Sequence, residues 1–178
     1  MITYKDGKPD KWGYSVKLSE HSFKWIKILL EPELESKSMV KPVRDSQDLL
    51  EELGKTADAV VADYLRLLWK YTVDDIRKYQ GPDFETTYNI SIILTVPAMW
   101  SPAAKDKTLR AAKAAGLPPN ITLVAEPEAA ALSTLKDKEG VSDLKVGIFV
   151  HGQIYFPVIN MLYRRAMLSL FVMRGVVQ

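Results

Sequence analysis

The run Tyr88 to Val96 constrains the fold more than any other stretch of the chain. Ile90, Ile92, Ile93, Leu94 and Val96 follow one another almost without polar interruption, and Pro97 ends the run. A strand with one wet face alternates apolar and polar residues, whereas a near-continuous apolar run suits a strand buried on both faces of a sheet. Helix and strand then alternate downstream. Pro102 opens a helix in the first turn, where its missing amide costs nothing, and Gly116 closes it. Ile121 to Val124 reads as a second strand, Glu128 to Leu135 as an alanine-rich helix, and Lys145 to Val150 as a third strand. This order predicts an α/β layer architecture.

Upstream, Ile2-Thr3-Tyr4 and Trp12 to Val16 predict a hairpin around Asp6-Gly7, since glycine reaches positive φ freely. Phe23 to Leu30 is a short apolar segment closed by Glu31-Pro32, because proline disfavours helix in the residue before it. Glu33 to Arg44 is polar and predicts a surface loop. Asp45 or Ser46 can cap a long helix. Leu50, Leu53, Ala57, Val60, Val61, Tyr64, Leu65 and Leu68 recur at three- and four-residue steps, one core-facing stripe reaching about Trp69. Thr72 to Asp75 opens a second short helix, and Gly81-Pro82 breaks the pattern.

Composition excludes several function classes. The chain has 178 residues, 47% of them apolar and 26% charged, which fits one globular domain. Its net charge of +2 gives no basic footprint for nucleic acid. With no cysteine, disulfides, thiolate metal sites and a cysteine nucleophile are all ruled out. The N-terminus carries no apolar signal core. No stretch reaches the ~18 apolar residues of a membrane span; Ile154 to Val177 comes nearest and is interrupted by Arg164, Arg165 and Arg174. The expectation is a soluble, cytoplasmic protein that binds neither nucleic acid nor membrane. His21 and His151 sit in no metal-ligand pattern. There is no Gly-x-Ser-x-Gly elbow and no Gly-x-x-x-x-Gly-Lys loop.

Two corners carry the functional signal. Thr95-Val96-Pro97-Ala98-Met99-Trp100 ends the first strand. After a helix and Ala115-Gly116-Leu117, the second strand ends in Ala125-Glu126-Pro127-Glu128-Ala129-Ala130-Ala131. At this separation the pair resembles the nucleotide-binding domain of the seventy-kilodalton heat-shock chaperones, where a strand ending Val-Pro-Ala leads through a helix and Ala-Gly-Leu to Glu-Pro-x-Ala-Ala-Ala. Trp100-Ser101 and Trp12-Gly13-Tyr14 are similar to a divergent, fungal-type branch whose substrate-binding half is often shortened. The likeness is strong over about residues 88–135, weaker over 1–87, and ends after Val150.

The resemblance implies an α/β fold, part of an actin-like ATPase (ribonuclease-H-like) domain: its first lobe only, a mixed sheet with flanking helices. Residues 1–150 would form the partial nucleotide-binding domain and 151–178 a divergent tail, with an amphipathic helix over about Asn160 to Met173. ATP and Mg2+ are the implied ligands, and protein clients or a co-chaperone the implied partners. Glu126, just beyond a strand's carboxyl end, matches the glutamate that holds a magnesium-bound water or orients the attacking water. As plain chemistry it is equally a helix-start carboxylate complementing the dipole. Pro97 matches the family's conformational switch, or is simply a strand terminator. Lys105 stands where the family relays that switch through arginine, keeping the charge but not the bidentate fork. Lys27 matches a lysine that reaches the transferring phosphate, or is an exposed lysine on a surface strand.

The family grips phosphate with two glycine-rich hairpins whose amides surround the anion. The first belongs before the strand that opens here at Ile2. Where the second should read Asp-x-Gly-Gly-Gly-Thr, this chain has His151-Gly152-Gln153-Ile154-Tyr155-Phe156. The expectation is therefore a truncated ATP-binding fragment that does not hydrolyse ATP by itself. The alternative is a non-enzymatic interaction module derived from that domain.

Overall fold

The computed structural model describes residues 1–31, 40–130, 154–156 and 172–175. Along the chain the elements are β1 (Ile2–Lys5), β2 (Lys8–Trp12), α1 (Lys41–Leu53), α2 (Ala57–Gln80), α3 (Phe84–Thr87), β3 (Ser91–Val96), α4 (Pro102–Ala114), β4 (Ile121–Ala125), β5 (Ile154–Phe156) and β6 (Val172–Gly175). The chain is mixed α/β. It forms two compact units, one of residues 1–72 and 101–117 and the other of 73–100 and 118–178.

In the first unit β1 and β2 pair antiparallel, Lys5 opposite Lys8 and Tyr4 opposite Pro9. Asp6 at φ +51° and Gly7 at φ +72° make the two-residue turn, both left-handed as the twist of a hairpin prefers. Because the turn holds only these two residues, the second strand is Lys8–Trp12 and not Trp12 to Val16, with a shift in register between Ile2 and Tyr4. Residues 13–15 instead coil into a 3-10 turn. Ser15 closes it, its Oγ accepting from Trp12 N at 3.1 Å and donating to the Trp12 carbonyl at 2.7 Å. Ile2 is fully buried and bonds Phe23 on its other side through both backbone groups, at 2.9 and 3.2 Å. Phe23 meets Tyr4 edge to face at 5.5 Å.

Helix α1 begins earlier than Asp45. Val40 precedes it in an extended conformation and Pro42 occupies the first turn, where no amide partner is required. Residues 41–44 are thus helical and not loop, and residues 32–39 lie outside the described ones. Ser46 is no cap: fully buried, its Oγ accepts from Lys24 N at 3.0 Å and donates toward the Lys24 and Pro42 carbonyls, each 2.9 Å away. Gly54 at φ +58° ends α1, its amide turned to the Leu50 and Glu51 carbonyls. The single stripe expected from Leu50 to Leu68 is therefore two helices. No second helix starts at Thr72, because α2 continues to Gln80; buried Thr72 satisfies its hydroxyl on the Leu68 carbonyl at 2.9 Å without breaking the helix. Val60, Val61, Tyr64, Leu65 and Leu68 are buried as the spacing predicts.

Phe23 to Leu30 is not a strand. A bend at Trp25, whose φ of +54° is left-handed, leads into a 3-10 turn over Ile28–Leu30 that buries Leu29 and Leu30. Helix α4 opens on Ser101, which accepts from Ala104 N at 3.2 Å as an N-cap. It ends at Gly116, φ +82°. Its buried face is made of small residues, Ala104, Thr108, Ala111 and Ala112.

In the second unit the strand order is β4-β3-β6-β5. Strands β3 and β4 are parallel; β6 is antiparallel to β3 and to β5. Ile92, Leu94 and Val96 are buried, so the apolar run is an interior strand. The helix expected over Asn160 to Met173 is overturned at its end: Val172 and Met173 are in β6, opposite Ile93 and Ile92. There they satisfy backbone groups of β3 that would otherwise be left open on that side. The rest of that helix, and the strand expected over Lys145 to Val150, fall outside the described residues. Residues 126–130 are helical, the start of the helix expected through Leu135.

Candidate site at the ends of two parallel strands

The register of the parallel pair decides where the two motif corners go. Ile92 stands opposite Ile121, Leu94 opposite Leu123 and Val96 opposite Ala125. Val96 and Ala125 are each the last residue of their strand, so Pro97 and Glu126 leave the sheet side by side. That is the carboxyl end of a parallel pair, where α/β sheets place their ligands. Two segments separated by 24 intervening residues in the expected pattern thus share one edge, although neither composition nor periodicity says so.

Each corner has a local cause. Pro97 lacks an amide and cannot continue the ladder. Its carbonyl accepts from Trp100 N at 3.2 Å, closing a turn that leaves Met99 81% exposed and buries Trp100. Glu126 opens a helical segment directly after β4 and is half-buried. A carboxylate in a first helical turn faces unpaired amides and the positive end of the dipole. Its oxygens can hold a water or a metal-bound water. They supply one carboxylate, and no group of three or more His, Cys, Asp or Glu among the described residues could bind a metal directly.

Lys27 and Lys105 belong to the first unit, and Pro97 and Glu126 belong to the second. Lys27 is half-buried and precedes the 3-10 turn, not on a surface strand; its carbonyl accepts from Leu30 N at 3.2 Å. Lys105 is half-buried in the first turns of α4, its amide on the Ser101 carbonyl at 3.1 Å.

Two polar clusters in this unit escaped the sequence reading. Glu31 is only 4% exposed, and its carboxylate accepts from Ser101 N at 2.8 Å and Ser101 Oγ at 3.2 Å. Asp63 accepts from Tyr4 Oη at 2.8 Å, Arg66 at 2.6 Å and Lys55 Nζ at 3.4 Å. Lys55 also lies 4.7 Å from the centre of the Tyr4 ring, and Arg66 reaches the Ala114 carbonyl at 2.8 Å. Burial works to raise the Asp63 pKa, but the bonds from Tyr4 and Arg66 and the charge of Lys55 outweigh it and hold it below the usual value. Burial, then the bond to Asp63, pushes the Tyr4 hydroxyl up. Burial and nearby Tyr14 raise Tyr64 to about 12. The only sequence signal for Asp63 was a carboxylate three residues before Arg66 on one helix; its tie to Tyr4 had none.

Among the described residues no helix is long and apolar enough to cross a membrane. No protein-family model, curated protein or solved structure matches this chain.

Proposed function

We propose that this chain is a fragment of an ATP-binding domain of the seventy-kilodalton heat-shock chaperone type, the first lobe of an actin-like fold, and that it does not hydrolyse ATP by itself. One observation carries the reading. The Val-Pro-Ala and Glu-Pro-Glu-Ala-Ala-Ala corners, read as a pair in the sequence, leave adjacent parallel strands at register-matched positions. A chance pair of dipeptides carries no such constraint. The family relation brings protein clients or a co-chaperone as partners.

The residues present fit Mg-ATP only in part. Glu126 offers the carboxylate that would hold a water near the metal, and Pro97 and Ala98 form the adjoining wall. The stretch after Val150 offers histidine, one glycine and glutamine in place of an aspartate and a run of glycines. In the family that hairpin's amides surround the phosphates and stabilise the charge developing on them, which is where phosphoryl transfer gains most of its rate. No hydrolytic step follows from this residue set.

The test is a titration of 15N-labelled protein with Mg-ATP, reading amide shifts. Weak, saturable shifts at Val96, Ala98, Ala125, Glu126 and Glu128, lost in Glu126→Ala, are expected, with no steady phosphate release. Absence of shifts at millimolar Mg-ATP would sink the nucleotide reading. Sub-micromolar binding with steady turnover would sink the claim of inactivity.

A further inference from the structure

Trp25 carries a backbone strain that the packing of its own segment does not require. Its φ of +54° is left-handed, a region that glycine and asparagine enter readily and that a bulky residue keeps only where its neighbours over-determine it. Those neighbours act from both sides. Before it, the Oγ of fully buried Ser46 accepts from the Lys24 amide at 3.0 Å and donates toward the Lys24 carbonyl at 2.9 Å. After it, the Trp25 carbonyl accepts from Ile28 N at 2.9 Å and so leads into the turn that buries Leu29 and Leu30. The bend is therefore needed, but an indole at the bend is not, since asparagine would make it at lower cost. Phe23 and Ile26 on either side enter the core, while Trp25 stays 55% exposed. A single exposed apolar side chain needs no explanation; a strained one that is turned outward points to a task outside the chain.

We propose that Trp25 anchors a docking surface, with Leu18 as its second apolar contact, for an acidic segment of another protein that carries bulky apolar side chains. Leu18 is exposed, and the Lys24 ammonium ties its carbonyl to the bend at 3.0 Å. Charge decides the class of partner. Residues 17–25 hold Lys17 and Lys24 against one carboxylate, Glu20, which Lys11 already engages at 2.8 Å. In the first turns of the neighbouring α1, Lys41 and Asp45 pair with each other. The apolar contacts thus stand in a positive surround, which steers carboxylates toward them and repels basic segments. Tryptophan is the side chain most often found carrying an interface, and one preset by its backbone gives up little freedom when it is covered. The surface lies wholly within the first unit. It stands apart from the nucleotide reading, and neither outcome of the Mg-ATP titration bears on it.

Two measurements on the full chain test this, with Trp25→Asn, Trp25→Phe, Leu18→Ser and Lys17→Glu compared. The first is stability. Trp25→Asn relieves the left-handed strain and gives up only the covered part of the ring, so the urea midpoint followed at the Val60 and Leu65 amides should stay within about 0.5 M of wild type. A larger fall would make Trp25 a core residue and overturn the anchor. The second is binding, read by fluorescence anisotropy of a fluorescein-labelled peptide in which glutamates flank a central pair of leucines. Wild type should bind it saturably, and Trp25→Asn should weaken binding at least about tenfold. Trp25→Phe should keep part of the affinity, and Leu18→Ser should lose several-fold. Lys17→Glu should weaken binding at low salt and matter less as salt screens the charge. Peptides with serine for leucine, or lysine for glutamate, should bind poorly. No saturable binding by wild type, or equal binding by Trp25→Asn, would overturn the proposal. So would Trp25-dependent binding to phosphatidylserine vesicles without binding of the peptide, which would assign the surface to a membrane. A dimer in sedimentation that Trp25→Asn abolishes would assign it to a second copy of this chain and overturn the acidic partner.

Discussion

Replacing Asp63 with asparagine tests how far the first unit depends on one half-buried carboxylate. Asp63 gathers Tyr4 from β1, Lys55 from the link between α1 and α2, and Arg66 one helical turn along α2. The Tyr4 bond joins positions 59 apart and has a charged acceptor, so its loss costs about 1.5–3 kcal/mol. Arg66 is half-exposed and the Lys55 contact is long, at 3.4 Å, so each contributes about 0–1 kcal/mol. Asparagine keeps one acceptor and recovers part of this, leaving an expected loss of about 2 kcal/mol. With a urea slope of about 1–3 kcal/mol per molar, the midpoint should fall by about 1 M. The transition should be followed through amide signals of Thr3 and Val60–Leu65, which report the first unit alone. Tyr4→Phe should couple to Asp63→Asn by about 1 kcal/mol in a double-mutant cycle. The pH dependence fixes the sign. Because the folded-state pKa of Asp63 is lowered, its stabilisation is complete above the usual aspartate value near 3.9 and fades as pH falls from there through the folded value. The gap between wild type and variant should therefore be full at pH 6 and shrink below about pH 4. Additive Tyr4 and Asp63 effects, or a gap that is the same at pH 6 and pH 2.5, would refute the reasoning.

Three further outcomes follow from single contacts. Leu94→Ala, at a site 1% exposed in β3, should cost about 2–5 kcal/mol in the second unit, read by urea unfolding through amides of 91–96. Ser46→Ala should cost about 1–3 kcal/mol, because it leaves the Lys24 amide without its partner; thermal unfolding of the variant measures it. Gly54→Ala should destabilise by about 1 kcal/mol through its left-handed φ alone, since the space around it is open, and Gly54→Asn should cost less.

Where local chemistry decides the outcome, the residues were readable. Asp6-Gly7 made its turn, Pro102 and Gly116 bounded α4, and the apolar run around Leu94 became an interior strand. The errors share a cause: a tertiary contact outbid a local preference. Ser46 has a capping side chain, but the Lys24 backbone occupies it and the helix starts on proline instead. The Leu50–Leu68 spacing continues across Gly54 because both helices bury a face, so periodicity cannot register the break. Met173 looked helical until β3 supplied the partners for its backbone. At the candidate site the sequence held the corners, Pro97 and Glu126, but not their register. That comes from hydrogen bonds between strands, as does nothing in either segment alone. Glu31 was only a residue before proline; its grip on Ser101 needed the fold to bring position 101 to it.

The first unit is discontinuous, and synthesis of the chain is not. The β1–β2 hairpin can close within about 1–10 μs once residues 2–12 are free. The turn that carries Leu29 and Leu30 meets α4 only through residues 101–117, which are made after the whole 73–100 segment. At roughly 5–20 residues per second, several seconds separate the two events on the ribosome. For that interval the apolar turn has α1 against it but not α4, and Glu31 has no Ser101 to hold. Pausing codons within 73–100 should lengthen this window and increase co-translational aggregation, while faster codons there should shorten it.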